Sequence, residues 1–176
     1  MAAYFAYPYW TLQRLELAIL NRDAAGLETL VDWQQLRTGI KSDFRRFMAE
    51  RMTQQTPSSS MEAAGTAIGM ALGGSIIDSL IDGFVSANSV LESWQRVAGA
   101  ASEPRRPRDY VASTRFQSLT TFRVDMRDPD NQQSPMLTVL LELTGAEWRV
   151  TKVVLPLPAL QAALTQSGQT KGDRIR

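Results

Sequence analysis

The chain has 176 residues, 44% apolar and 21% charged, enough for one domain with a real core and far from a disordered composition. Its 19 basic and 18 acidic residues leave a net charge of +1, so no global electrostatic case for nucleic acid arises. Histidine and cysteine are absent, which excludes Ser-His-Asp and Cys-His catalysis, His/Cys zinc sites and any disulfide framework.

Residues 1–10 form an aromatic stub, with Tyr4, Phe5, Tyr7, Tyr9 and Trp10 and no charge before Arg14. A signal peptide needs a basic start and a longer apolar run, and neither is present. Two readings stand. The aromatics fold back onto the core, or they lie at a membrane interface, where Tyr and Trp concentrate.

A first helix is expected over Thr11–Leu20, with Thr11 as its cap and Leu12, Leu15 and Ile19 on one face. Asn21, Arg22 and Asp23 make a turn. Asp23 then caps a short helix that buries Leu27, Leu30 and Val31. Asp32 opens a third helix, with Gln35 placed as in a capping box. Trp33, Leu36, Ile40, Phe44 and Phe47 form its apolar stripe, and Arg37, Lys41 and Arg45 recur beside it every fourth residue. This helix fades near Gln54, before the linker of Pro57 and Ser58–Ser60.

Residues 61–87 carry Gly65, Gly69 and Gly73 on one helical face. Each glycine costs about 1 kcal/mol of helix propensity, which close approach by another helix or by lipid would offset. The uncharged run from Ala63 to Ile77 spans roughly 22 Å as a helix, short of a bilayer core of about 30 Å. A packed or surface-docked helix is therefore expected instead of a membrane span. A further helix covers Asn88–Gly99, with Val90, Leu91, Trp94 and Val97 inward.

Residues 103–108 form a stiff basic connector with two prolines. Three strands follow. Ser113–Arg127 sets Phe122, Val124 and Met126 against Thr121, Arg123 and Asp125 on the other face. Leu137, Val139, Leu141 and Leu143 alternate next, and a hairpin loop occupies Thr144–Glu147. Trp148, Val150 and Lys152 then alternate with Arg149, Thr151 and Val153. A short helix over Pro158–Gln166 and a frayed tail over 167–176 complete the chain. The expected fold class is α+β: one domain over residues 11–166, with a helical part (11–100) packed on a three-stranded antiparallel meander (113–156).

Pro8-Tyr9-Trp10-Thr11-Leu12, Asn21-Arg22-Asp23-Ala24-Ala25, Val31-Asp32-Trp33 and Leu36-Arg37 resemble the start of a bacterial family, domain of unknown function 2939. The glycine-rich helix and Trp148-Arg149-Val150-Thr151 with Leu155-Pro156 are similar to its later motifs. The resemblance covers most of Tyr7–Pro156. It implies a single hydrophobic anchor before the domain and a place on the outer side of the membrane in the cell envelope. This chain itself shows no anchor and no signal peptide. The family has no established activity, so no catalytic residue carries over. By analogy alone, helices followed by a curved meander are similar to the nuclear transport factor 2-like cone fold.

The residues that could carry chemistry are few. Asp78 and Asp82, one turn apart, could bind a cation or do acid–base work, but two carboxylates also read as solvated helix surface. Asp128, Asp130 and Asn131 suggest a loose metal loop and equally an ordinary turn. Arg37, Lys41 and Arg45 could dock on anionic lipid or form the solvated flank of a core-facing helix. Arg105, Arg106 and Arg108 have no interleaved aromatic platform for nucleic acid. The serine run lacks a Ser-x-x-Lys partner, and Gly65, Gly69 and Gly73 do not follow a strand as a dinucleotide loop would.

The expectation is a non-enzymatic, envelope-associated binding or assembly domain without cofactor or metal. Its speculative lipid or partner surface comprises Arg37, Lys41, Arg45, Gly65, Gly69 and Gly73. The alternative is a carrier holding an apolar small molecule or lipid between sheet and helices, with Phe122, Leu140, Trp148 and Trp94 lining the cavity. Partner identity and oligomeric state stay open.

Overall fold

A computed structural model describes residues 2–54, 78, 79, 81–100, 103–131, 133 and 137–154. Four helices come first: α1 (Ala2–Leu20), α2 (Ala24–Leu30), α3 (Trp33–Gln54) and α4 (Ala87–Ala100). Residues 78, 79 and 81–84 are also helical. A 3-10 turn (Pro107–Tyr110) leads into β1 (Val111–Phe116), β2 (Thr121–Met126), β3 (Leu137–Thr144) and β4 (Glu147–Val154). The architecture is α+β, with N-terminal helices and a C-terminal antiparallel sheet. Gly65, Gly69 and Gly73, the serine linker, the helix expected over Pro158–Gln166 and the tail lie outside the described residues.

The sheet has four strands in the order β1-β2-β3-β4, not three. The stretch taken for one strand turns at Gln117–Thr120, where the Gln117 and Ser118 amides both donate to the Thr121 carbonyl, at 2.9 and 3.3 Å. That turn holds no glycine or proline, so composition does not announce it. The β3–β4 turn does announce itself: Gly145 sits at φ 66°, where a side chain would be strained.

Register fixes the two faces. Phe116, Phe122, Leu141 and Val150 pair in a row across the sheet, as do Val124, Val139 and Val153, and these point toward the helices. Between Leu140 and Leu141 the register shifts, because β4 carries Thr151 as an extra residue. The bulge reverses parity beyond it. Val153 therefore packs on the core and Lys152 takes the opposite face, where it meets α3 at Gly39 and pairs with Asp43 at 3.4 Å, opposite to strict alternation.

Helix α1 starts at Ala2, so the aromatic stub is its first half and Thr11 does not cap it. The Thr11 hydroxyl instead donates to the Tyr7 carbonyl at 3.2 Å. Pro8, buried inside the helix, removes one backbone donor, which in a helix interior costs about 3 kcal/mol. Aromatic packing offsets it. Tyr4 meets Trp148, Phe5 meets Phe116 and Tyr9 meets Phe122, at centroid separations of 6.2, 5.5 and 5.0 Å.

Asp23 caps α2 as expected, accepting from the Gly26 amide at 2.8 Å. The capping box at α3 is only half formed. Asp32 accepts from the Gln35 amide at 2.9 Å, but its own amide donates to the Val150 carbonyl, and the Gln35 side chain reaches Glu142. The link between α2 and α3 thus adds to the β4 edge, through a parallel bridge of Val31 to Val150. In α4 the inward residues are Ala87 and Leu91, with Trp94 half-buried. Val90 and Val97, expected inside, face out, because Ala87, Leu91, Trp94 and Ala98 set the stripe that meets the core.

Candidate functional site

The basic row of α3 is engaged inside the molecule. Lys41 pairs with Asp82 at 2.7 Å, Arg45 pairs with Asp78 at 2.6 Å, and Arg37 Nε donates to the Val85 carbonyl at 2.9 Å. Three residues read as a lipid-facing stripe therefore hold the segment 78–85 against α3. The same bonds engage Asp78 and Asp82, the carboxylates read as an acid–base or cation pair. All of these groups remain partly exposed, so each pair adds at most about 1 kcal/mol.

The other polar candidates are also tied locally. Arg105 pairs with Asp130, and Arg108 lies 3.7 Å from Glu16, linking the connector to α1. The Arg106 amide donates to Asp109 at 2.7 Å. In the turn of Asp128, Asp130 and Asn131, the Asp130 amide donates to the Asp128 carboxylate at 3.0 Å. Among the described residues no group of three or more acidic, histidine or cysteine side chains could hold a metal ion.

A cluster that sequence reasoning missed lies on the far face of the sheet. Asp125, 3% exposed, accepts from the hydroxyls of Thr138 and Ser113 at 2.7 and 3.1 Å and from Arg123 Nε at 2.7 Å. Arg123 also donates to Thr138 at 3.1 Å, and Arg115 stands 3.6 Å from the carboxylate. Burial alone would raise the Asp125 pKa. The hydrogen bonds from Thr138, Arg123 and Ser113, with the Arg123 charge, outweigh it and hold the carboxyl below its ordinary value. The alternation of Arg123 and Asp125 was visible in the sequence. Their partners come from β1 and β3, and only the register supplies those.

The residues proposed as a carrier lining do not share one chamber. Phe122 is fully buried among Tyr9, Phe116 and Trp148, and Leu140 sits on the opposite face of the sheet. A cavity of about 190 Å³ beside Trp148 is bordered by Thr11, Thr29 and Glu147. Those groups already bond to the Tyr7 carbonyl, the Gly26 carbonyl and Arg149. Trp94 lines a separate groove between α1 and α4.

Among the described residues, Phe84, Val90 and Val97 are exposed singly on the helices that follow α3, and the largest group of exposed apolar side chains lies on the outward face of α1. Phe5, Tyr9, Trp10, Leu17 and Leu20 are each 40–50% exposed along it. Arg14, on the flank, stacks on Trp10 at 4.9 Å from the ring centroid. At the N-terminal end of this face, the β1–β2 turn carries Leu119, 72% exposed, and the Tyr4 hydroxyl donates to the Leu119 carbonyl. The inward face of α1 (Pro8, Thr11, Leu15 and Ala18) meets the domain, and its other sides mix these large apolar residues with exposed Gln13 and Arg14 and half-buried Glu16. No described helix is long and apolar enough to cross a membrane.

Residues 1–91 match a family model described as protein of unknown function (DUF2939). No curated protein and no solved structure matches the chain, and the nuclear transport factor 2-like cone is not confirmed. The match spans α1, α2, α3 and the start of α4, and so includes the outward face of α1, the Asp23 cap and the basic row of α3. Covering more than half of the sequence, it places the chain in the DUF2939 family.

Proposed function

We propose that this protein is a non-enzymatic binding domain that docks on a membrane surface through the outward face of α1. The observation that carries this reading is the row Phe5, Tyr9, Trp10, Leu17 and Leu20, with Leu119 beside it. Tyr and Trp pair an apolar ring with a polar tip, which suits the headgroup region, and leucine suits the acyl boundary. Arg14 at the flank adds attraction to anionic headgroups. Exposed Gln13 stands in the row between Tyr9 and Leu17, so the face is a cluster of large apolar side chains around a polar amide, and such a cluster supports an interaction site. The lack of histidine and cysteine and the internal engagement of the polar clusters support a role without catalysis. The outer side of a cell membrane is the proposed location, in line with the anchored architecture that the family resemblance implies.

The test is sedimentation with vesicles containing anionic phospholipid. Wild type is expected to pellet, and a Trp10→Ser, Leu17→Ser variant, which leaves the Phe5 and Tyr9 contacts with the sheet in place, to stay in the supernatant with its fold intact by circular dichroism. Lys41→Ala should pellet like wild type, because that side chain serves Asp82. Equal pelleting of the double variant, or a stable dimer whose interface is the α1 face, refutes the membrane reading.

A further inference from the structure

The end of α1 and the second half of α4 enclose an open groove of about 530 Å³. Ile19, Leu20, Trp94 and Ala98 provide apolar walls, Gly99 leaves space on the α4 side, and Arg22 and Gln95 are its polar groups. Its volume lies within the range of small-molecule sites, about 300–1,000 Å³.

Arg22 gives the groove its chemistry. It stands at φ 56° in the turn that ends α1, where the Asp23 amide donates to Ala18 and the Arg22 amide to Ile19. This is the left-handed position of a Schellman turn, which glycine usually fills. With the Gln95 amide turned so that its oxygen faces the guanidinium, Nε and Nη2 both donate to that oxygen, at 2.9 and 3.0 Å. Among the described residues Nη1 and the second hydrogen of Nη2 meet no acceptor. Among the described residues no carboxylate pairs with Arg22, as none pairs with Arg14, Arg37 or Arg96. An arginine held by a neutral amide beside an apolar trough is complementary to an anion that carries a hydrocarbon chain.

We propose that this groove binds a single-chain amphiphile with an anionic head, a fatty carboxylate or an alkyl phosphate. The chain lies along Ile19, Leu20, Trp94 and Ala98, and the head takes the free edge of Arg22. The site does not rest on membrane docking: it shares only Leu20 with the α1 row, lies roughly 20 Å along α1 from the aromatic end, and its test contains no bilayer.

Isothermal titration with dodecanoate, dodecyl phosphate and dodecyltrimethylammonium, each below its micelle concentration, decides it. One anion per chain is expected, with the cation at least about tenfold weaker. The tighter of the two anions identifies the head. Arg22→Gly fits the left-handed backbone, so it should weaken the anion about tenfold without lowering the thermal midpoint. Gly99→Phe meets open space, since an added Cβ has no neighbour within 4 Å; it should fill the groove and abolish binding in a folded protein. Equal binding of anion and cation, no saturable binding of either anion, or wild-type binding by Gly99→Phe overturns the proposal. Arg22→Gly should still pellet with vesicles, so loss of this site is distinguishable from loss of the α1 surface.

Discussion

Helices α1 and α3 carry the two surfaces that matter, and they use them in opposite ways. On α3 the charges turn inward to a neighbour: Lys41 and Arg45 meet Asp82 and Asp78, and Arg37 meets a backbone carbonyl. On α1 five large apolar side chains stay 40–50% exposed, even where Phe5 and Tyr9 also touch the sheet. A charged row beside an apolar stripe suggests a docking helix, yet such charges are cheap to satisfy locally. A large apolar side chain left in water is not, because burying it is worth about 1.5–3 kcal/mol. The charged row is thus largely occupied by its own domain, whereas the apolar side chains of α1 keep much of their surface in water.

The largest expected effect tests whether α1 belongs to the core at all. Phe122, fully buried, lies against Tyr9 and Phe116. Phe122→Ala should destabilise the whole domain by about 3–5 kcal/mol in denaturant unfolding. If α1 is a loosely attached arm, the loss will be far smaller and hydrogen exchange will rise in α1 alone.

The second effect concerns the far face of the sheet, which neither surface uses. Asp125 titrates below its ordinary value in the folded protein, so its ionised form adds stability above the unfolded carboxylate pKa of about 3.9. That contribution is lost as pH falls below this value toward the folded pKa. Asp125→Asn should cost about 1–3 kcal/mol at neutral pH, and it should flatten the acid limb of the stability profile measured by urea unfolding. An unchanged limb would mean that the cluster does not couple to folding.

The periodicities that follow one element were legible in the sequence, and those that need two elements were not. Trp33, Leu36, Phe44 and Phe47 announced α3, and Phe122 and Val124 announced the inner face of β2, because each pattern lies within one segment. The bulge at Thr151 and the turn at Gln117–Thr120 carry no special residue, so strand number and the parity of Lys152 and Val153 came only with register. The same limit applied to sites. Asp82 could be placed on a helix face, but Lys41 is 41 residues away, and nothing in either segment names the other. Exposure was least legible of all: Tyr9 and Pro8 are adjacent and both apolar in character, yet one is half in water and the other buried.

Two smaller effects sharpen the contrast between the helices. At Gly26 an added Cβ would stand 2.4 Å from an Asp23 carboxylate oxygen. Gly26→Ala therefore displaces the cap that starts α2, a loss of about 1 kcal/mol that the helix propensity of alanine offsets by up to about 1 kcal/mol, so thermal unfolding should change little. A clear gain in stability would show that the carboxylate finds another way to accept the amide.

The smallest effect is the most pointed. A double-mutant cycle of Lys41→Ala and Asp82→Ala should give a coupling energy of about 0.2–1 kcal/mol, because the pair is close but Asp82 is half exposed. Raising the salt concentration should shrink that coupling, since screening reaches a partly exposed pair. A coupling of zero, together with weaker vesicle pelleting by Lys41→Ala, would reverse the assignment of roles. Lys41 would then serve lipid, and α3 would share the surface now given to α1. A measurable coupling with unaltered pelleting separates the two helices as the geometry does, because a charge engaged by Asp82 has little left to offer a headgroup.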